Sequence, residues 1–410
     1  MKIALLGYGK EGQSTEKYFK SHFDNLECDV FDNFTYDEIK KKDFSNYDMV
    51  FRSPSVPPLN LPNETSMTKY FFDHCPCPII GVTGTKGKGT TCSFIESILS
   101  ALGEDVYIVG NIGNPAIDVL DSLKETSVIV FELSSFQLWD LTRSPHIAVI
   151  GTIEPDHLNV HNGYEDYLNA KSNIGRNQTK DDFLVYYKNN PDSVKLASFS
   201  RAQKISYPFA IPTGIKKAIK IPGKHNEENA TAAIAAVACY KGVPLDEFLA
   251  ANESKIISGL DDFKGLPHRL EFLRELNNVK YYDDNFSTNP SSTRVAVNAF
   301  PDDNLIVIIG GRDKTNYEDI PEIYEVLRSP QIKKIVLIGE SGHELANRYN
   351  DERFAVAESL EEAVDHAKTE AENLGKAIVL MSPSAASFDM FENVYNRGDR
   401  FKNLVLSLEQ

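Results

Sequence analysis

The residues of this chain best suited to chemistry lie in one run, Thr83-Gly84-Thr85-Lys86-Gly87-Lys88-Gly89-Thr90-Thr91. The apolar stretch Ile79–Val82 precedes it and a helical pattern, Cys92–Leu102, follows. Strand, glycine loop, lysine, hydroxyls and helix are the parts that cradle a nucleoside triphosphate. Backbone N–H groups and the helix dipole face the phosphates, and a lysine placed like Lys88 reaches the terminal ones. The run departs from the common form G-x-x-x-x-G-K-[ST], because position 82 is Val and Gly89 follows Lys88. The hydroxyl for a magnesium ion is therefore expected at Thr90, with Thr91 in reserve.

A second glycine-rich loop, Gly7-Tyr8-Gly9-Lys10-Glu11-Gly12, follows the β-like run Lys2–Leu6 and opens an amphipathic stretch reaching about Phe23. A further strand, Cys28–Phe31, ends at Asp32. Glycines here let the chain turn tightly and approach a pyrophosphate at a helix N-terminus, with the acid placed for a ribose. The same feature suits a nicotinamide-dependent dehydrogenase or a UDP-type ligand. A dehydrogenase has no need of the second phosphate loop, which sets that reading aside.

Three α/β units must carry these loops. Prolines at 54, 57, 58, 62, 76 and 78 mark a first boundary near residue 75. Strand and helix patterns then alternate through Val128–Phe131, His146–Gly151 and the Ala-rich helix Glu227–Lys241, as in a mostly parallel sheet covered on both faces. A second boundary falls at Gly265-Leu266-Pro267, beyond which strands Asn304–Ile309, Lys334–Ile338 and Ala377–Met381 alternate with helices. The expected organisation is a Rossmann-like domain over 1–75, a central P-loop domain over 76–265 and a Rossmann-like α/β domain over 266–410.

Bulk properties narrow the class. A chain of 410 residues, 41% hydrophobic and 25% charged, has globular composition and is too long for one ordinary core. A formal net charge of −16 argues against coating nucleic acid, which needs a surplus of Lys and Arg. The opening Met1–Gly7 is too short in apolar residues for a signal peptide, and no stretch approaches membrane-spanning length. A cytoplasmic protein without membrane insertion is expected. Cys28, Cys75, Cys77, Cys92 and Cys239 are an odd set that does not resemble a disulfide framework. His74-Cys75-Pro76-Cys77 lacks a second ligand pair nearby and is read as a linker rather than a zinc site.

The string Gly84-Thr85-Lys86-Gly87-Lys88-Gly89-Thr90-Thr91 resembles the ATP loop of the Mur ligases and of their relative folylpolyglutamate synthase. Further motifs follow in family order. Asn111-Ile112-Gly113-Asn114-Pro115, Glu132-Leu133-Ser134-Ser135-Phe136-Gln137, Asp156-His157-Leu158, Lys171, and Gly223-Lys224-His225-Asn226 with Asn229 are similar to central-domain motifs. Pro267-His268-Arg269-Leu270-Glu271, Asp284 with Thr288-Asn289-Pro290, Gly310-Gly311-Arg312-Asp313-Lys314 and Ser382–Asp389 are similar to those of the third domain. A nucleotide-type domain ahead of the ATP loop argues against the folate enzyme, whose loop lies near its start. A non-catalytic scaffold would have little reason to keep Glu132, His157, Lys171 and Lys88 together.

The resemblance implies an ATP-dependent ligase. It would phosphorylate a carboxylate to an acyl phosphate for an amine to attack, with magnesium ions and cations meeting the developing charge. The members most similar to this chain imply D-glutamate and UDP-N-acetylmuramoyl-L-alanine as the partners, two magnesium sites and a monomer. Taken alone, Glu132 reads as a solvated carboxylate, His157 as a packed histidine and Lys171 as a surface charge. The family match makes Glu132 and His157 magnesium ligands and makes Lys171 a carbamylated lysine that ligates the second ion. Asn226 and Asn229, read alone, are N-cap candidates, but the match gives Asn226 to adenine. Arg269 and Asp284 are matched to phosphate and ribose. Gly9, Lys10, Glu11 and Asp32 would line the uridine diphosphate site, and Asn111, Ser134, Ser135 and Gln137 the sugar side. Lys314, Thr288, Ser387 and the backbone around Phe388 would hold the amino acid. Two departures fall in that last region: Phe286 stands where the family usually has lysine, and Val394 where it often has an aromatic residue.

Overall fold

A computed structural model of the chain describes residues 1–158 and 160–409. Strands β1 (Lys2–Leu6), β2 (Glu27–Phe31), β3 (Met49–Arg52) and β4 (Glu64–Ser66) form a 4-stranded sheet ordered β2-β1-β3-β4. The next six strands are β5 (Ile79–Thr83), β6 (Asp105–Gly110), β7 (Ser127–Glu132), β8 (Ile147–Ile150), β9 (Phe183–Tyr187) and β10 (Gln203–Tyr207). They form a 6-stranded sheet ordered β10-β9-β8-β5-β7-β6. The last sheet holds β11 (Glu271–Leu276), β12 (Val279–Asp283), β13 (Leu305–Gly310), β14 (Ile332–Ile338), β15 (Phe354–Val356) and β16 (Ala377–Met381), ordered β11-β12-β16-β13-β14-β15. All pairings are parallel except that of β11 with β12, an antiparallel edge.

The chain divides into two compact units, Met1–Ile219 with Glu227–Phe263, and Lys220–Asn226 with Lys264–Gln410. The first unit contains two sheets that share one core. Ile3, Phe19 and Phe51 of the first sheet's layer join Ile79, Val109, Ile129 and Phe131 of the second in one apolar cluster. The helix Met67–His74 makes the connection, setting Phe71 and Phe72 against Phe131 at ring separations of 5.7 and 5.6 Å. Polar ties cross the same seam: Arg52, 1% exposed, donates to Asp140 at 2.7 Å. Proline punctuation near residue 75 thus marks a turn between sheets that are packed together.

Each sheet changes strand order beside a glycine loop, and in open α/β sheets ligands sit at such switch points beyond the carboxyl ends of the strands. β5 lies between β7 and β8 and runs into the loop at Gly84. β1 lies between β2 and β3 and runs into Gly7, whose φ of +86° and close approach to Ser53 leave no room for a side chain. β13 lies between β16 and β14 and runs into Gly310-Gly311. β5, β7, β13 and β16 are buried along their whole length, which accounts for their unbroken apolar runs.

Two sequence boundaries move. The helix expected from Cys92 begins at Lys88, because Gly87 adopts φ +78° and serves as its N-cap. The helix expected from Glu227 begins at Lys224, so Asn226 lies in its first turn rather than capping it, and its side-chain amide donates back to Pro222 O at 2.6 Å.

Gly311 supplies a test of the third sheet's switch point. Its φ is +145°, and a Cβ would lie 2.1 Å from the Ala386 carbonyl oxygen. Gly311→Ala is expected to cost on the order of 3 kcal/mol of unfolding free energy in the chain segment 264–409, measured by denaturant titration. A loss below about 0.5 kcal/mol would show that the backbone there relaxes freely.

Candidate active site

The phosphate loop of the first unit is held by a web of its own backbone and side chains. Thr85 N donates to Thr152 O at 2.6 Å, Thr85 Oγ1 donates to Glu154 O at 3.0 Å, and the Tyr167 hydroxyl sits 2.7 Å from Thr85 Oγ1. Lys86 pairs with Glu154 at 2.9 Å. At Gly87 a Cβ would lie 2.6 Å from Asn229 Oδ1, so Asn229 packs directly on the loop. The helix Lys88–Ala101 follows, and the backbone N–H groups of Gly89 and Thr90 in its first turn have no helical acceptor. That is the donor set an anion needs.

Two lysines converge on one carbonyl oxygen. Lys88 Nζ donates to Gly84 O at 3.0 Å and to Thr85 O at 3.2 Å. Lys171 Nζ donates to the same Gly84 O at 2.9 Å and to Thr83 Oγ1 at 3.3 Å. Lys171 comes from the helix Tyr164–Arg176 and is 2% exposed. Burial, and next the charge of Lys88, hold its amine well below the ordinary lysine value, while Asp156 and Glu132 pull the other way.

Glu132 ends β7 beside this cluster and is 3% exposed. Its Oε1 accepts from Asn111 Nδ2 at 3.0 Å, whereas Oε2 is buried with no hydrogen-bond partner. A buried carboxylate oxygen left open is costly unless a cation or donor meets it. This open oxygen is of the kind that meets a divalent, oxygen-seeking cation. His157 is exposed. Sequence placed it just after a strand, but it lies well beyond β8 in an exposed loop, at φ +53°, 3.4 Å from Asp156. Nearby His161 is buried against Phe136 and Trp139, bonds Ser135 at 2.9 Å and Asp166 at 3.2 Å, and is held below its ordinary value by burial.

The residues expected on the sugar side connect to both loops. Ser134 and Gln137 form a capping box on the helical turn Ser135–Leu138, and Gln137 Nε2 donates to Glu11 Oε1 at 3.1 Å. Burial pushes the Glu11 carboxyl up to about 7. Gly9 caps the helix Lys10–His22, and Asp32 accepts from Tyr8 N at 3.2 Å, so Gly9, Lys10, Glu11 and Asp32 surround the carboxyl end of β1. Ser135, Gln137 and Asn111 spend their polar groups on the protein's own partners.

In the second unit, loops from the carboxyl ends of β12, β13 and β16 meet around Arg397. This side chain is fully buried and donates to Ala385 O at 3.0 Å, Ala386 O at 3.2 Å, Asn285 O at 3.3 Å and Gly310 O at 3.4 Å, and to the Asn285 side chain. Lys314 Nζ reaches Thr288 O at 3.5 Å. Partial desolvation and then the charge of Arg397 lower its amine below the ordinary value. Ser387 and Ser384 hydroxyls are buried without partners, and Phe388 is 64% exposed. Asp284 is buried, accepting from Leu270 N at 3.2 Å and Ser382 Oγ at 2.8 Å. The two departures lie close to these loops: Phe286 stacks under Arg269 at 5.3 Å and meets Tyr395 edge-on at 5.3 Å, while Val394 O accepts from Asn285. Sequence reasoning missed Arg397 and Tyr395. An arginine in the amphipathic helix Val394–Ser407 carries no motif of its own, and only its burial singles it out.

Fold and site define a parallel α/β protein with a phosphate-binding loop, an open buried carboxylate beside it and a second α/β unit rich in cationic and hydroxyl groups. The family description "Mur ligase middle domain" matches residues 82–237, and "Mur ligase, glutamate ligase domain" matches residues 268–385. The UDP-N-acetylmuramoylalanine--D-glutamate ligase of Clostridioides difficile is 35% identical over 470 residues, covering 100% of this chain and 99% of its own. That of Acetivibrio thermocellus is 36% identical over 406 residues, covering 88% and 83%. This chain belongs to the Mur ligase family. The crystal structure of UDP-N-acetylmuramate-alanine ligase from Thermotoga maritima shares the fold at a TM-score of 0.61, with 17% identity and 99% of each chain covered. Among the described residues, no helix is long and apolar enough to cross a membrane.

Asp284 yields a pH test. Burial raises its carboxyl from 3.8 to about 7, so the folded protein holds a proton there that the unfolded chain releases. Its stabilising share is complete below pH 4 and is lost as pH rises towards 7. Asp284→Asn is expected to remove a fall on the order of 3 kcal/mol between pH 4 and pH 8, read from denaturant midpoints of the two proteins at each pH. Parallel pH curves would place the carboxyl's pKa near its ordinary value.

Proposed function

We propose that this protein joins D-glutamate to UDP-N-acetylmuramoyl-L-alanine at the expense of ATP, making a cytoplasmic precursor of peptidoglycan. The observation that carries the chemistry is the convergence of Lys88 and Lys171 on Gly84 O, with the open oxygen of Glu132 beside it. The choice of substrates rests on the relatives named for that reaction.

In this reading the segment 1–75 holds the UDP end of the sugar nucleotide through Gly9, Lys10, Glu11 and Asp32. The segment 76–265 holds ATP through Gly84–Thr91. The segment 266–410 holds the amino acid through Thr288, Lys314, Ser387 and the Phe388 backbone, and Asn226, Arg269 and Asp284 complete the nucleotide contacts. The muramoyl-alanine carboxylate, facing Asn111, Ser134, Ser135 and Gln137, attacks the terminal phosphorus. ADP leaves, and Lys88 and the first-turn N–H groups meet the charge that builds on the phosphoryl oxygens. The D-glutamate amine then attacks the acyl phosphate, losing a proton and expelling phosphate. Two magnesium ions, drawing their ligands from Thr90, Glu132, His157 and, for the second ion, a carbamylated Lys171, would supply charge neutralisation at the phosphates when bound.

Lys171 fits a metal-facing role once it carries carbon dioxide. A neutral amine adds to it and releases one proton, so the buried side chain becomes a carboxylate-like anion. Burial of Lys171 in its neutral form favours that addition, because the free amine is the nucleophile.

The assay is phosphate release with ATP, magnesium and UDP-N-acetylmuramoyl-L-alanine, with amino acids supplied one at a time. Turnover is expected with D-glutamate, and turnover with L-lysine or meso-diaminopimelate instead would overturn the substrate. Lys88→Ala is expected to lower turnover by at least about 10²-fold. For Lys171, native mass spectrometry in bicarbonate should show the added carbon dioxide, and activity should fall when bicarbonate is stripped. An unmodified Lys171 in fully active enzyme would remove the carbamate from the mechanism.

A further inference from the structure

Cys75 caps the C-terminal end of the helix Met67–His74, with its N–H donating to Phe71 O at 2.8 Å, and Cys77 leads into β5. Pro76 between them has a fixed φ, so the two side chains share a stiff frame. Their sulfurs lie 3.6 Å apart, and a disulfide needs a further approach of only ~1.5 Å. Cys75 is partly exposed, while Cys77 is buried in the core shared by the first two sheets.

The geometry points to Cys75 and Cys77 as a site of reversible thiol oxidation, with Cys75 meeting a hydroperoxide and Cys77 resolving it to an intramolecular disulfide. The division of labour follows from their surroundings. The thiol–thiol contact with Cys77, in which either sulfur can donate, lowers the Cys75 thiol below its ordinary value against the opposing effect of burial, and the charge of Arg143, which pairs with Asp73 at 3.6 Å, acts in the same direction as the contact. Cys77 is raised by the same contact. The other cysteines are poorly suited: burial pushes Cys28 up to about 11 and Cys239 up to about 12, and holds Cys92 well above its ordinary value. An activated, accessible thiol beside a resolving one is the arrangement that oxidises selectively.

The chemistry balances without a further reactant. The Cys75 thiolate attacks one peroxide oxygen, becoming a sulfenic acid and releasing hydroxide, which takes up a proton. The Cys77 sulfur then displaces the sulfenic oxygen as water. The pair loses two hydrogens and two electrons overall, and hydrogen peroxide is reduced to two waters. The bond would close the turn that links the helix packed on Phe131 to the strand that carries the phosphate loop.

The test treats the full chain with hydrogen peroxide, then denatures it, alkylates free thiols and maps the peptides by mass. The peptide holding Cys75 and Cys77 is expected to lose two hydrogens and escape alkylation, Cys28, Cys92 and Cys239 to remain alkylated, and dithiothreitol to reverse the change. Cys77→Ser should trap the intermediate, giving several-fold more dimedone adduct at Cys75 than the wild type. Cys75→Ser, at the more exposed position, should leave Cys77 alkylated after the same treatment. Full alkylation of both cysteines in peroxide-treated wild type would overturn the proposal, as would irreversible over-oxidation of Cys75 with no disulfide, or oxidation of Cys77 in Cys75→Ser.

Discussion

Two basic side chains bonded to a single carbonyl oxygen are the constraint on which the first unit turns. Lys88 and Lys171 both reach Gly84 O, in a protein whose formal net charge is −16. Burial and then the charge of Lys88 hold the Lys171 amine well below its ordinary value, while Asp156 and Glu132 pull the other way. The surrounding structure keeps the two lysines there. Buried β5 fixes the start of the loop, Thr85 is tied to Thr152 and Glu154, and Gly87 takes a left-handed conformation closed over by Asn229. Local positive charge is thus concentrated where phosphate oxygens are expected, and the acidic remainder of the surface does not weaken it at close range.

The second unit solves a related problem by different means. Arg397 is a buried cation whose hydrogen-bond partners are carbonyls and one amide side chain. Each acceptor belongs to a loop at the carboxyl edge of the sheet, so one guanidinium fixes the relative positions of segments remote in sequence. Planar donors in a rigid fork suit this task better than a lysine, which would offer a single point charge. After desolvation, the charge of Arg397 is the next cause that lowers the Lys314 amine below its ordinary value.

Glu132 links the two kinds of design. One of its oxygens is spoken for by Asn111, which orients the carboxylate, and the other is left open. Asn111 therefore acts through Glu132 in this arrangement, while Gln137 joins Glu11 and carries the connection to the first sheet. The shared core behind these contacts makes the first sheet part of the phosphate loop's foundation, so a change in Phe71 or Phe131 would be felt in both.

The strands around each loop were legible because β5, β7, β13 and β16 are buried on both faces, and burial demands unbroken apolar runs that stand out in sequence. The phosphate loop was legible because tight turns at an anion admit few residue types. Helix starts were read late at Lys88 and Lys224, since a glycine N-cap and a polar first turn look like loop until the backbone is seen. Sequence by itself determined the family, the alternating α/β plan and the identity of the chemical groups, because these are written in short contiguous patterns. Tertiary structure alone decided that Lys171 is buried beside Lys88, that Glu132 keeps one oxygen open, that Arg397 binds three loops together and that Cys75 faces Cys77. Those properties depend on burial and on distances set by folding, which no spacing along the chain encodes.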